Sequence, residues 1–310
     1  MPNFEAYSYE ELLTENGKRN LHEELLIQNN SSALLVLIRL LSGSVKIVHE
    51  YTNTEINQRK NYFSSDYKSF GQSWGAKFPK LISEDISSND IAMYIKANKY
   101  TNKIFYTNIL TEVSHFLYAS KKGSHTSAFI HVYRLLEKIS YALPLIYASK
   151  TDDFVSSFNQ LKRFMSGGDN KEELGFFKKF VESLFEGEPL TSTSLDISIR
   201  ADNPCVQENF FNEMKRVLHE RIIHPDTQEP TKLSINFTDF GSFIITIRNR
   251  FFHNMNKRAD NINTQKVVDS DAFFKNVNDI SMYWISQVLL LILSHLISNF
   301  FSTTQQVLPN

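Results

Sequence analysis

The chain has 310 residues, 42% of them apolar, and its 33 Lys and Arg nearly balance 34 Asp and Glu for a net charge of −1. That content supports a sizeable core and excludes wholesale disorder, while the charge balance argues against a bulk electrostatic nucleic-acid binder. The single cysteine, Cys205, excludes an intrachain disulfide framework and any zinc site built from several thiolates.

Ten Gly and eight Pro are few for this length and 25 Phe are many, which favours long helices over a turn-rich β fold. The expected class is therefore mainly α. The amino terminus carries neither a basic leader nor an apolar core, so no secretory signal is expected and the expected compartment is the cytoplasm.

Residues 1–90 read as an accessory region of several helices with polar breaks. Ala33 to Val48 is apolar enough for a core helix, Asn53 to Asp66 reads as a solvated stretch, and Tyr67 to Lys80 as an ordered loop. Residues 91–310 read as one helical domain. Ala92 to Ser120 is helical in character and stops at Lys121-Lys122-Gly123, basic residues followed by the glycine that helix ends favour. Ser124 or Thr126 can cap the next helix, whose apolar positions Phe129, Val132, Leu136, Ile139, Leu143 and Ile146 recur at steps of three and four. Pro144 should bend it near its end.

An α/β insertion is expected over about residues 150–238. Gly167-Gly168-Asp169 is a break and Lys171 to Phe185 an aromatic-rich helix. Leu195, Ile197, Ile199 and Leu233, Ile235, Phe237 alternate with polar neighbours as two short strands, with a helix from Gln207 to Ile223 between them. Two helices close the chain, Phe240 to Lys257 and Asp271 to Phe301. The second buries Phe273, Val277, Ile280, Trp284, Val288 and Leu291. Its span from Ile280 to Phe301 is interrupted by Ser281, Ser286, Gln287, Ser294, His295, Ser298 and Asn299, so it reads as a core helix and no membrane partner is expected.

The chain lacks a Gly-rich phosphate loop, a Gly-x-Ser-x-Gly and a His-Glu-x-x-His, and neither metal nor cofactor is expected. His219 and His224 stand five apart, about 140° round a helix, which suits a surface pair better than a metal site. Cys205 follows Pro204 at a helix start, where a thiolate is favoured, but no base accompanies it in sequence.

The segment Arg248-Asn249-Arg250-Phe251-Phe252-His253 is different. Arg followed by Asn, with four residues between Arg248 and His253, resembles the signature of the HEPN superfamily. The setting resembles it too: the motif lies on the penultimate helix, a long apolar helix follows, and Tyr133-Arg134-Leu135-Leu136-Glu137 looks like the helix that carries an acidic residue facing the motif. The resemblance spans about residues 90–310 and implies a HEPN-like helical bundle and metal-independent RNA cleavage, in the manner of toxin–antitoxin or phage-defence effectors. It implies catalytic roles for Arg248, His253 and Asn249, supported by Arg250 and Glu137. It also implies an RNA substrate, a homodimer with a shared site, and an antitoxin or defence-system partner protein. Imidazole titrates near neutrality, and guanidinium presents a permanent planar charge to phosphate.

Periodicity complicates the assignment of the arginine. On one regular helix, Ser242, Thr246, Asn249, His253 and Asn256 form a polar stripe with Arg250 beside it, whereas Arg248 falls nearer Ile244, Phe251 and Met255. The resemblance favours Arg248; the stripe favours Arg250. The alternative to an enzyme is a non-catalytic interaction or RNA-binding subunit of the same fold.

Overall fold

The computed structural model of the chain describes residues 5–19, 21–149, 153–165, 173–253 and 261–307. They are mainly helical with two small sheets. Contacts gather them into two units, residues 1–122 with 285–310 and residues 123–284; the boundary expected at residue 90 falls inside the first.

The first unit corrects the all-helical reading of the N-terminal region. It opens on β1 (Tyr7–Glu11), the short α1 (Glu15–Lys18) and α2 (Ala33–Leu41), followed by β2 (Val45–His49) and β3 (Thr54–Gln58). The strands form an antiparallel sheet with β2 in the middle, registered through Tyr9–Ile47 and Ile47–Ile56. The expected helix Ala33 to Val48 is thus a helix and a strand. Both are buried, so their apolar residues merge into one run, and the break between them is Gly43. It sits at φ +76°, where a Cβ would lie 2.6 Å from the Arg59 carbonyl oxygen. The stretch read as solvated contains the edge strand β3 and then buries Tyr62 and Phe63.

Arg39 on α2 is fully buried. Glu11 pairs with its guanidinium, Ser44 Oγ accepts from Nε at 2.8 Å, and its charge lies 4.8 Å from the centre of the Trp74 ring. Burial pushes the guanidinium pKa down and Glu11 opposes that shift. Trp74 begins the short α3 (Trp74–Lys77), which lies within the segment read as an ordered loop. The expected helix Ala92 to Ser120 is two, α4 (Ser88–Ala97) and α5 (Lys103–Lys121), separated by a turn at residues 98–102. The second ends at the expected place, with Gly123 at φ +77°.

The second unit begins with α6 (His125–Ala148), which runs through Pro144 and buries Phe129, Val132, Leu136, Ile139 and Leu143. Ser124 makes no side-chain cap; the Asp271 carboxylate accepts the Thr126 N–H at 2.6 Å instead. Then come α7 (Phe154–Met165) and α8 (Glu173–Leu184), while Gly167, Gly168 and Asp169 lie outside the described residues. The two expected strands are present as β4 (Ser194–Ser198) and β5 (Lys232–Asn236), paired antiparallel through Leu195–Ile235 and Ile197–Leu233. Between them α9 (Pro204–Arg216) stops seven residues short of the expected Ile223.

The remaining helices are α10 (Phe240–Phe252), the short α11 (Thr264–Val267) and α12 (Ser270–Val307). The last contributes its first half to the second unit and its second half to the first. It is long and apolar enough to cross a membrane, but 78% of its most apolar window is buried, as in the core helix of a folded protein.

Candidate functional site

The Arg-Asn-x-x-x-His segment occupies the last turn of α10. This helix is held at its start by an ion pair between Lys178 and Asp239, 2.6 Å apart, and along its length by Phe240, Phe243, Ile244 and Ile247, all fully buried. Gly241 lets it approach α12 closely, since a Cβ there would lie 2.9 Å from the Trp284 ring. The Trp284 indole N–H in turn donates to the Phe237 carbonyl at 2.9 Å.

The far end of α10 rests on stacked rings. Phe251 and Phe252 lie 4.8 and 5.8 Å from Phe274, which is 4.5 Å from Phe129 of α6. Asn278 ties α12 to α6 by donating to the His125 carbonyl at 2.9 Å. Three helices therefore fix where the motif sits.

Arg248 is half-buried and doubly held. Its guanidinium carbon lies 4.2 Å from the centre of the Tyr133 ring, and its Nη1 donates to Asn249 Oδ1 at 2.9 Å. A guanidinium held over an aromatic ring is attracted by the negative face of the ring. Among the described residues, Asn249 is the one hydrogen-bond acceptor that engages the Arg248 guanidinium. The expected partner Glu137 makes no ion pair with Arg248 and is exposed on the outward face of α6, as is Arg134. Tyr133, one turn before Glu137, is the residue that sequence reasoning passed over. Its signal was the i, i+4 step from Phe129 to Tyr133, facing Phe252 and Arg248.

The expected polar stripe is corrected. The helix ends at Phe252, and His253 is its C-cap, exposed and with extended backbone (φ −101°, ψ 118°). Its N–H still closes the last turn on the Asn249 carbonyl at 3.2 Å. In a continuing helix the Arg250 carbonyl would accept from residue 254; here it accepts the Ile262 N–H at 2.9 Å. Asn254, Met255, Asn256 and Lys257 lie outside the described residues. Ser242, Thr246 and Asn249 remain half-buried along α10, but the cavity beside Ser242 is only about 10 Å³, room for a single water. Arg250 is half-buried beside Asn249.

The chain returning to α11 is anchored by Glu213 on α9, whose carboxylate is buried. It accepts from Arg216 at 2.6 Å and from the Asn263 N–H at 2.8 Å, with Lys266 3.6 Å away. Arg216 also donates to the Asn261 carbonyl at 2.6 Å. Burial alone would raise the Glu213 pKa; the Arg216 and Asn263 hydrogen bonds and the two cations outweigh it, and the net shift is downward.

The other sequence candidates stand apart from this site. Cys205 is exposed in the first turn of α9, its N–H capped by Asn203 Oδ1 at 2.8 Å. His219 and His224 each accept a backbone N–H two residues on, at 3.2 Å, as turn caps. Among the described residues no three His, Cys, Asp or Glu side chains gather in a metal-binding group. Neither protein-family models, nor curated proteins, nor solved structures provide a match to this chain, so the chemistry of these side chains carries the functional reading by itself.

Proposed function

We propose that the chain is a HEPN-type endoribonuclease, a toxin or phage-defence effector acting on RNA with a partner protein of the antitoxin or defence kind. The observation that carries this reading is the last turn of α10: an arginine 4.2 Å from the centre of the Tyr133 ring and bonded to Asn249, with the exposed His253 capping the same helix. The reading requires one phosphodiester to touch both the Arg248 guanidinium and the exposed His253 imidazole.

In the cleavage step the RNA 2′-oxygen bonds to the adjacent phosphorus as its proton leaves, and the bond from phosphorus to the 5′-oxygen breaks as that oxygen gains a proton. The products are a 2′,3′-cyclic phosphate and a 5′-hydroxyl. His253 supplies or takes one of these protons, and Arg248 stabilises the charge that grows on the phosphoryl oxygens. Asn249 keeps the guanidinium turned. No divalent ion enters the scheme.

The second reading, a non-catalytic RNA-binding or interaction subunit, draws on the same contacts, because Arg248 is already engaged by Tyr133 and Asn249. One experiment separates the two. Purified protein is incubated with a mixed RNA pool in EDTA, beside His253→Ala. The enzyme reading expects cleavage that survives chelation and disappears in the variant, whose exposed side chain should change stability by no more than about 0.5 kcal/mol. RNA that is retained intact by both proteins supports the binding subunit; cleavage by both sinks the role of His253.

A further inference from the structure

The tip between α4 and α5 carries apolar side chains that the core does not use. Tyr100 and Ile104 are 74% and 80% exposed, whereas Tyr94, Ile95, Tyr106 and Ile109 are buried and supply the inner faces of the two helices. The tip itself is a tight turn. The Thr101 N–H donates to the Asn98 carbonyl at 3.0 Å and the Lys103 N–H to the Tyr100 carbonyl at 3.3 Å, while Asn102 takes a left-handed backbone at φ +53°. Single apolar residues at a surface are ordinary, but here an aromatic and an aliphatic side chain flank one turn together with lysines.

The charges say what meets the tip. From Ile91 to Thr111 the chain has no Asp, Glu or Arg but carries Lys96, Lys99 and Lys103. Lys96 lies 3.9 Å from Glu24, and Glu23 and Glu24 line the cleft that Lys99 borders; Lys99 and Lys103 form no ion pair among the described residues. Lys103 is also the first residue of α5, whose start has no side-chain cap and no acidic residue in its first turn. A cation there opposes the helix dipole, so a negative partner outside the chain accounts for it better than the fold does. An anionic lipid surface matches both halves of the tip: its headgroups meet the lysines, while Ile104 and Tyr100 enter the boundary between headgroups and acyl chains. RNA matches only one half, because Ile104 has no ring to stack on a base and the tip lacks the arginines that suit nucleic-acid recognition.

We infer that the α4–α5 tip is a peripheral contact surface for an anionic lipid bilayer, with Ile104 and Tyr100 inserting and Lys99 and Lys103 meeting the headgroups. The expectation of no membrane partner rested on the want of a spanning segment; a surface contact needs none. Two apolar side chains and a few lysines, opposed by Glu23 and Glu24, make a reversible contact and not an anchor. It stands without the ribonuclease reading.

The test is flotation of the full chain with vesicles of phosphatidylcholine alone and of phosphatidylcholine and phosphatidylserine in equal parts, with thermal unfolding to show that each variant is folded. Wild type should float with the mixed vesicles and not with phosphatidylcholine alone, and less so as salt rises. K99E/K103E should weaken binding on the order of a hundredfold, since each exchange removes an attraction to the leaflet and adds a repulsion. Y100S/I104S keeps the charges and removes the inserting groups, so it should lose on the order of tenfold or more. No flotation of wild type on the mixed vesicles, or flotation indifferent to either pair of substitutions, overturns the inference. Retention of a single-stranded RNA oligonucleotide that K99E/K103E abolishes, without flotation, overturns it in favour of nucleic acid. RNA cleavage by His253 is untouched by each of these results.

Discussion

Two side chains decide most of what can be tested at the scale of the residue. Arg248 is held by Tyr133 and Asn249, and the proposed ribonuclease activity expects Arg248→Ala to lose RNA cleavage on the order of a hundredfold or more. Arg250→Ala should cost less, because the contact of the Arg250 carbonyl with the Ile262 N–H survives the substitution. Single-turnover rates on one RNA rank the two variants, and a crippled Arg250→Ala with an active Arg248→Ala would reverse the assignment. Glu213 offers a pH test. Its folded pKa lies below the ordinary 4.5, so its contribution to stability is complete above that value and is lost as pH falls through the folded value. Glu213→Gln should therefore flatten the acid limb of the stability curve. At neutral pH it should cost about 1–3 kcal/mol, since a charged acceptor is removed from Arg216 and Lys266. Denaturant melts at pH 7 and near pH 4 measure both effects.

At the scale of the element, α10 shows two opposing terms with a clear winner. Glycine inside a helix costs up to about 1 kcal/mol relative to alanine, so Gly241→Ala gains that much in propensity. The added methyl would stand 2.9 Å from a Trp284 ring that is 1% exposed and hydrogen-bonded at its nitrogen. Overpacking of this kind costs about 1–3 kcal/mol, and the ring cannot swing away without leaving Phe237. The variant should melt lower than wild type. An unchanged or higher melting temperature would mean that α10 and α12 have room to separate. The same close approach explains why the motif helix reaches the ring stack at Phe274 at all.

For the whole molecule, the informative element is α12. Its second half, which belongs to the first unit, buries Val288, Ile292, Leu293, Leu296 and Ile297 there. Ser294 donates to the Ile82 carbonyl at 3.2 Å, and Phe300 meets Tyr94 with centroids 5.7 Å apart. A chain ended after Trp284 loses those partners, although the second unit keeps all its residues. Such a truncation should expose apolar surface in the first unit, read as strong dye binding and rapid proteolysis within residues 5–122. Resistance equal to the full chain would show that the first unit closes its core without α12.

How much of this was legible in the sequence depends on where the information sits. The i, i+3, i+4 pattern marked most of the buried positions of α6 and α12, with Ile146, Ile280 and Leu291 only half-buried, and period-two alternation marked β4 and β5, because those patterns are local consequences of helix and strand geometry. The boundary inside Ala33 to Val48 was hidden, since a buried helix and a buried central strand are equally apolar, and β3 was hidden because an edge strand is polar on its outer side. At the candidate site the residue types, an arginine and a histidine with four residues between them, and their chemistry could be read from the sequence. That Arg248 rests on Tyr133 and not on Glu137 follows from the packing of α10 against α6. Only the tertiary structure decided that the helix stops at Phe252, leaving His253 outside any polar stripe. The physical reason is the same for both: a ring from α6 and the N–H of Ile262 compete for groups that a helix taken alone would keep for itself.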